Sequence, residues 1–371
     1  MHVLVVTVVH QPLDARIWHR QIRALLDAGH HVTYVAPWSG YGVTVPVATA
    51  GIERLDTVDV PRAAGRRRLR ALLAARRQVA RYRDRADVVV LHDPELVAAT
   101  VFLRRPPTVW DVHEDTAATL IDKPWLPALL RRPLGLLVQG AERLAERRMH
   151  LLFAEPGYRA HFAHDHPVVP NEPVVPKTAI PSGDDRVVYL GRVSRGRGAD
   201  ALLALPGLLP AGVRLVVLGP ADPDVADRFA DAARAGVLEW NGFVPNDVAH
   251  TRIDGALAGL SLLRDLPNYR HSRPTKVVEY MARGVPVITT PTPVAQEIVE
   301  RYDTGVVVPF DDVEAVASAV TRLRQDPAGR AAFAARGHAA ALAHYDWRRS
   351  ANGFVSALEA VVNVEGASGR R

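Results

Sequence analysis

Ser272-Arg-Pro-Thr-Lys-Val-Val-Glu-Tyr-Met-Ala-Arg-Gly-Val-Pro-Val-Ile288 reads as a short loop, a helix opening near Pro274–Thr275, a stop at Gly284 and a buried strand over Val285–Thr289. A helix that begins beside a strand edge offers unpaired N–H groups and the positive end of its dipole, which together hold a phosphate. Lys276 falls in the first turn, where a cation opposes the dipole unless an anion lies nearby. Lysine is scarce in this chain (Lys123, Lys177 and Lys276), whereas arginine is abundant. Glu279 follows one turn later, on the side of Thr275 and Lys276. A cationic grip followed by a carboxylate suits a nucleoside diphosphate and its ribose.

Working outward, apolar runs rich in valine alternate with amphipathic helical segments from end to end. That pattern predicts α/β architecture, with parallel sheets covered by helices. In the first half, strands are expected at Val3–Val9, His31–Ala36, Val88–His92, Thr108–His113 and Leu151–Glu155. A helix is expected over Ile17–Ala28, stopped by Gly29. In the second half, strands are expected at Arg186–Leu190, Arg214–Leu218, Leu238–Trp240, Ala258–Leu263, Val285–Thr289 and Val306–Pro309. Between the halves, Pro167-Val-Val-Pro-Asn-Glu-Pro-Val-Val-Pro176 excludes a helix and suits a linker, which places a domain boundary near residue 172. Two such domains form a cleft, and open α/β sheets bind ligands at the carboxyl ends of their strands.

At 371 residues the chain is long enough for two α/β domains, and 48% hydrophobic content supports a sizeable core. Cysteine is absent, which excludes disulfides, thiolate metal sites and a cysteine nucleophile. It also fits a reducing, cytoplasmic setting. The net charge of +6 favours anionic partners. Met1-His-Val-Leu-Val-Val-Thr-Val-Val9 has no basic leader and reads as an opening strand, not a signal peptide. No apolar run is long enough to span a bilayer.

Val188-Tyr-Leu-Gly-Arg-Val-Ser-Arg-Gly-Arg-Gly198 runs from a strand through a loop into a helix over Ala199–Leu205. Gly191 permits close backbone approach, and Arg192 and Arg197 are placed to meet a pyrophosphate. Alone, the loop reads equally well as a glycine-rich turn with solvated arginines. The Thr275–Glu279 helix in the same half tips the balance to phosphate.

Gly191-Arg192 followed by Arg197-Gly198 resembles the G-R-x-x-x-x-K-G signature of the retaining glycosyltransferases of family 4, with arginine in place of lysine. Trp240-Asn-Gly-Phe-Val-Pro245 resembles the strand and turn that line that family's nucleobase pocket, pointing to Phe243 and Val244. Lys276–Ile288 is similar to the segment E-A-M-A-x-G-x-P-V-I. Gln296-Glu-Ile-Val299, Thr304-Gly-Val-Val-Val-Pro309 and His344-Tyr-Asp-Trp347 resemble the blocks that follow. Together these cover most of residues 186–347. The resemblance implies the GT-B fold, two Rossmann-like domains facing each other across a cleft. Residues 1–172 would form the acceptor side and 173–347 the nucleotide-sugar side. Residues 348–371 would be a helix returning to the first domain, with a disordered tail.

The first half matches less sharply. Asp111-Val-His-Glu-Asp115 ends a strand where the family carries a histidine near the transferred sugar, so the resemblance makes His113 the candidate for sugar contact. The competing reading is a structural histidine bonded to a carboxylate such as Asp115. His92-Asp-Pro-Glu95 also ends a strand. It borders an acceptor pocket or, the preferred reading, Asp93 caps a helix that starts at Pro94. In the loop after the first strand the family's usual Gly-Gly pair is replaced by Asp14-Ala-Arg16-Ile17. Arg16 reaches an anionic group across the cleft, or Asp14 simply caps the helix; both readings stand. The family's Glu-x7-Glu pair is half present, since Glu279 is kept and His271 stands at the first position.

What the resemblance implies is glycosyl transfer with retention from a nucleoside-diphosphate sugar to an acceptor hydroxyl. UDP-sugars are favoured over GDP-sugars. There is no cofactor beyond the donor and no metal. Arg192, Arg197 and Lys276 would stabilise the departing phosphate, Glu279 would bind ribose, and Gly191, Thr275 and His271 would line the donor site. Two rivals remain: a sugar-nucleotide 2-epimerase of similar architecture, and a catalytically degenerate donor-binding subunit. Arg66–Arg77 reads as a basic amphipathic helix. Its leucines 69, 72 and 73 are expected in the first domain's core, with weak contact to anionic membrane as the other reading. A nucleic-acid role is disfavoured because aromatics do not interleave with the arginines.

Overall fold

The computed structural model describes residues 1–45, 49, 51–113, 128–270 and 273–368. The chain divides into two compact units, one formed by Met1–Asn171 with Arg349–Arg371, the other by Glu172–Arg348. Each is built on a six-stranded parallel sheet.

The first sheet comprises β1 (His2–Val6), β2 (His31–Ala36), β3 (Leu55–Asp59), β4 (Val88–Leu91), β5 (Thr108–Val112) and β6 (His150–Phe153). Their order is β3-β2-β1-β4-β5-β6. The chain winds outward one way from β1, then returns and winds the other way from β4. The crevice at the carboxyl ends of β1 and β4 is therefore a topological switch point. Four of these strands are apolar runs buried on both faces, as parallel strands under helices must be. The edge strand β3 escapes the sequence pattern: it is Leu-Asp-Thr-Val-Asp, with Asp56 and Asp59 exposed. β1 stops at Val6 instead of Val9 because the Asp93 carboxylate accepts the Val8 and Val9 N–H groups.

The expected Ile17–Ala28 helix opens as a π-helix over Ile17–Ile22 and continues as an α-helix over Arg23–Asp27, ending before Gly29. Its start is fixed by Asp14, whose Oδ1 accepts from the Arg16 and Ile17 N–H groups at 2.8 and 3.0 Å. Near the other end of the chain, the Trp347–Ser368 helix places Phe354 and Leu358 fully buried in this unit, and Glu359 lies 3.3 Å from His30.

The second sheet comprises β7 (Arg186–Leu190), β8 (Arg214–Leu218), β9 (Glu239–Trp240), β10 (Ala258–Ser261), β11 (Val287–Thr289) and β12 (Gly305–Val307). Their order is β12-β11-β10-β7-β8-β9, with the switch point between β7 and β10. β11 starts at Val287 rather than Val285 because Pro286 has no N–H for the ladder. The helix of the opening segment spans Thr275–Ala282, lies on β10 and β11, and reaches β7 through Tyr280. Tyr280 fastens it there: its hydroxyl accepts from Leu190 N at 2.8 Å and lies 3.1 Å from Leu260 O. A Cβ at residue 259 would sit 2.4 Å from the Tyr280 ring, so only glycine lets this helix come so close.

One expectation about packing is corrected. The Arg68–Tyr82 helix turns Ala71, Ala75 and Val79 to the core, while Leu69 is 68% and Leu73 45% exposed. Small residues face the sheet, and two of the three leucines stand among exposed arginines. Among the described residues no helix is long and apolar enough to cross a membrane.

Candidate active site

Both switch points carry the chemistry-bearing residues. In the second unit the loop after β7 leaves the sheet at Gly191, whose N–H donates to Leu218 O at 2.8 Å. Tyr189 pins it by donating from its hydroxyl to Arg192 O at 2.8 Å. Gly198 closes the loop at φ +88°, and a Cβ there would lie 2.4 Å from Leu262 O. The loop's path is thus set by contact with the end of β10.

Lys276 rises from the first turn of the Thr275–Ala282 helix towards this loop. Its side chain is 5% exposed, and Nζ lies 3.6 Å from the centre of the Tyr189 ring with no hydrogen-bond partner. Burial, with Arg197 nearby, holds its ammonium well below the usual lysine range, and the Glu279 carboxylate offsets this only in part. A buried amine without an acceptor is costly, so the site is built for an anion. Arg197 is half-buried beside it. Arg192 is 63% exposed and already paired with Asp222. Exposed pairs of this kind contribute about 0–1 kcal/mol, so an incoming phosphate can displace the carboxylate.

Glu279 is buried one turn on, with Oε1 3.5 Å from His250 Nε2. His250 itself sits 3.5 Å from the Asn246 amide. Neither Asn246 nor His250 was expected from the sequence; both come from a helix, Asn246–Ile253, that follows the Trp240–Pro245 turn. In that turn Phe243 is 58% exposed and Val244 is half-buried against the core, while Trp240 Nε1 donates to Gly219 O at 2.9 Å. Thr275 is the first helical residue. His271 lies outside the described residues, and so does Asp115.

In the first unit the structure decides one open reading and corrects another. Arg16 does not present its charge to a ligand. It is 3% exposed, its Nε and Nη2 donate to Asp111 Oδ2 and Oδ1 at 2.7 and 2.6 Å, and Nη1 donates to Val169 O at 3.0 Å. Asp14 takes the capping role left open for it. Asp93 precedes the Pro94–Thr100 helix but makes no side-chain cap. Its fully buried carboxylate instead accepts from Val8 N and Thr7 Oγ1 and lies 2.7 Å from His10 Nδ1.

His113 stands at the end of β5 in a cluster of three histidines. Its Nδ1 donates to Asp111 O at 2.9 Å, and its Nε2 lies 3.0 Å from His10 Nε2. His92, fully buried, has Nδ1 3.2 Å from Asp111 Oδ2 but out of line for a hydrogen bond. Burial and the neighbouring His10 lower the His113 imidazole to about 4, against the opposing pull of Asp111. Burial alone would raise the Asp111 carboxyl, but Arg16 more than offsets this and holds it well below the usual range. His92, Asp111 and His113 bring ligand-type atoms within 4.8 Å of one another. Both Asp111 oxygens are nevertheless held by the Arg16 guanidinium, with Gln21 Nε2 adding a bond at 2.9 Å, so a cation there would face a fixed positive charge.

Residues 171–339 match the family model described as glycosyl transferases group 1, and residues 15–178 match that of a glycosyl transferase 4-like domain. The chain is a glycosyltransferase with the GT-B fold. It is 27% identical to a phosphatidyl-myo-inositol mannosyltransferase of Mycolicibacterium smegmatis, over 93% of this chain and 91% of the relative. Among solved structures it resembles sucrose-phosphate synthase from Thermosynechococcus elongatus, with TM-score 0.74, 18% identity, and 98% of this chain and 99% of that one covered. It also resembles Anabaena HepE in complex with UDP-glucose, with TM-score 0.69, 14% identity, and 97% and 100% covered.

Proposed function

We propose that the chain transfers a sugar from a nucleoside-diphosphate sugar to an acceptor hydroxyl with retention of the donor's anomeric configuration. The observation that carries this reading is the buried, unpaired Lys276 side chain beside Arg197 at the end of β7. In the step, the bond from the anomeric carbon to the diphosphate oxygen breaks and the bond to the acceptor oxygen forms on the same face. The acceptor's proton passes to the departing phosphate. Negative charge grows on the diphosphate, and Lys276, Arg197, Arg192 and the N–H groups at Thr275 stabilise it electrostatically. This cationic set supports a transfer step that needs no divalent ion. Gly191 lets the loop backbone approach the diphosphate. Glu279 accepts from the ribose hydroxyls, and Phe243 and Val244 border the base. His113 contacts the sugar or the acceptor. The bound UDP-glucose of HepE favours UDP over GDP as the donor's nucleotide. A 2-epimerase is not favoured, since it needs acid–base carboxylates around the sugar and Glu279 stands without the second glutamate of the pair.

The acceptor half of the reading adds peripheral contact with an anionic membrane through the Arg66–Arg77 segment, where Leu69 and Leu73 point outward between exposed arginines. That arrangement is what an interfacial helix requires, and it suits a cytoplasmic enzyme working at the membrane's inner face. The named lipid acceptor of the mycobacterial relative agrees with it.

A thermal-shift screen of nucleotides and nucleotide sugars tests the donor half before an acceptor is known. UDP and a UDP-sugar are expected to raise the midpoint without added metal, and chelator should leave the shift unchanged. No shift with any nucleoside diphosphate, or one that appears only with a divalent ion, would overturn the reading.

A further inference from the structure

Hydrogen positions in the histidine cluster follow from its partners. Asp111 O is a carbonyl and only accepts, so His113 Nδ1, 2.9 Å away, carries a hydrogen. A neutral His113 therefore has a bare Nε2. Asp93 is fully buried, and its carboxyl is lowered despite burial by the hydrogen bond and charge of His10. It is thus ionised, and His10 Nδ1, 2.7 Å from Oδ1, donates to it. The two Nε2 atoms are 3.0 Å apart and need one hydrogen between them. Only two assignments supply it: His10 as imidazolium donating to neutral His113, or His113 as imidazolium donating to neutral His10. The second puts a cation beside Arg16 and His92, which face His113 from the first-strand loop side and from the end of β4. The first puts it against the Asp93 carboxylate. Among the described residues, Asp14, near both rings, and Asp111 are the other charged groups of the cluster.

We propose that His10, held by Asp93, is a positioning residue for the transfer: it carries the cluster's proton and fixes His113 as the neutral ring with hydrogen on Nδ1. The chain Asp93–His10–His113–Asp111 O then sets both the tautomer and the tilt of the ring assigned to the sugar or acceptor. This rests on the role of His113 proposed above.

Histidine side-chain nitrogen NMR on the full chain tests the proton assignment without any substrate. At pH 7 one ring should have both nitrogens protonated and a second should be neutral with hydrogen on Nδ1. His10→Gln should remove the first signal and keep the second. A neutral His10 at pH 7, or His113 with its hydrogen on Nε2, overturns the proposal. The functional arm uses two variants that separate positioning from mere anchoring. Glutamine places its amide near Nε2 and still donates to His113; asparagine places it near Nδ1 and keeps only the Asp93 contact. With UDP-glucose as donor and released UDP as readout, His10→Asn should lower kcat/KM by on the order of tenfold or more, and His10→Gln much less. The reverse order would show that His10 only anchors its loop. The NMR pattern intact while His113→Ala turns over normally would remove His113, and His10 with it, from the transfer; the donor-binding reading would be left standing.

Discussion

Lys276 Nζ sits 3.6 Å above the Tyr189 ring with no hydrogen-bond acceptor in reach. The aromatic face offers some compensation, but the amine still gains from an anion. Burial and Arg197 lower its proton affinity in the free protein. A diphosphate reverses this, because an opposite charge at contact distance favours the ammonium. Donor binding is therefore expected to take up protons wherever the free amine is deprotonated, and affinity should fall as pH rises through that range. Calorimetry of UDP binding in buffers of different ionisation enthalpy measures the uptake. Lys276→Met should abolish it and weaken binding by about 10–100-fold. Proton release on binding, or no exchange even at a pH where the free amine is deprotonated, would contradict this.

Arg16 and Asp111 are both buried and doubly hydrogen-bonded. Removing one partner leaves an uncompensated buried charge, so Arg16→Met or Asp111→Leu alone should cost about 3–5 kcal/mol. The double change to apolar residues should recover much of that. The folded-state pKa of Asp111 is depressed. Its contribution is thus fully present above the unfolded value of about 3.9 and is lost as pH falls towards the folded one. Denaturant unfolding of the two single variants and the double variant at neutral pH, and of the native protein below pH 4, tests both statements. Simple additivity of the two losses would show that the pair is not a unit.

Much of this architecture is legible in the chain itself. Parallel strands buried on both faces must be apolar runs, and nine of the twelve were visible for that reason, together with the half-buried β12 and with β9, whose two residues follow Leu238. β3 was not, since an edge strand with outward aspartates has neither a run nor a strong alternation. The phosphate end of the second unit is local: Gly191 to Gly198 and Thr275 to Glu279 are two short segments. The histidine cluster is not local. His10 and Asp93 are 83 residues apart, and Arg16 and Asp111 95 apart, so only the sheet order brings them together. The signal that could have found His10 is its place just past the end of the first strand, at the switch point. The Leu69–Leu73 stripe misled because alanines, which permit closer approach to a sheet, won the inward face.

His113 is lowered to about 4, against an unfolded value of 6.5. Between these values the unfolded chain binds the proton and the folded chain does not. Stability should therefore fall as pH drops from about 6.5 towards 4, by at most ~1.4 kcal/mol per pH unit for this group. His113→Asn should flatten that part of the profile. Thermal midpoints across pH 4–8 for native and variant decide it, and a native midpoint constant through this range would exclude a buried neutral ring.

Leu69 and Leu73 face outward from a helix whose arginines are also exposed. Each exposed arginine adds roughly 1 kcal/mol of attraction at an anionic surface, and each inserted leucine adds apolar burial. Sedimentation with vesicles containing anionic lipid should pull the protein down at low salt, and raised salt should release it. Leu69→Ser with Leu73→Ser should weaken this without altering the fold, because neither side chain supports the core. Arg66→Glu with Arg70→Glu should weaken it more, and with a steeper dependence on lipid charge. Neutral vesicles provide the control, since apolar insertion alone would bind both kinds equally. Binding to anionic vesicles that both variants retain in full would assign the contact to another face of the molecule.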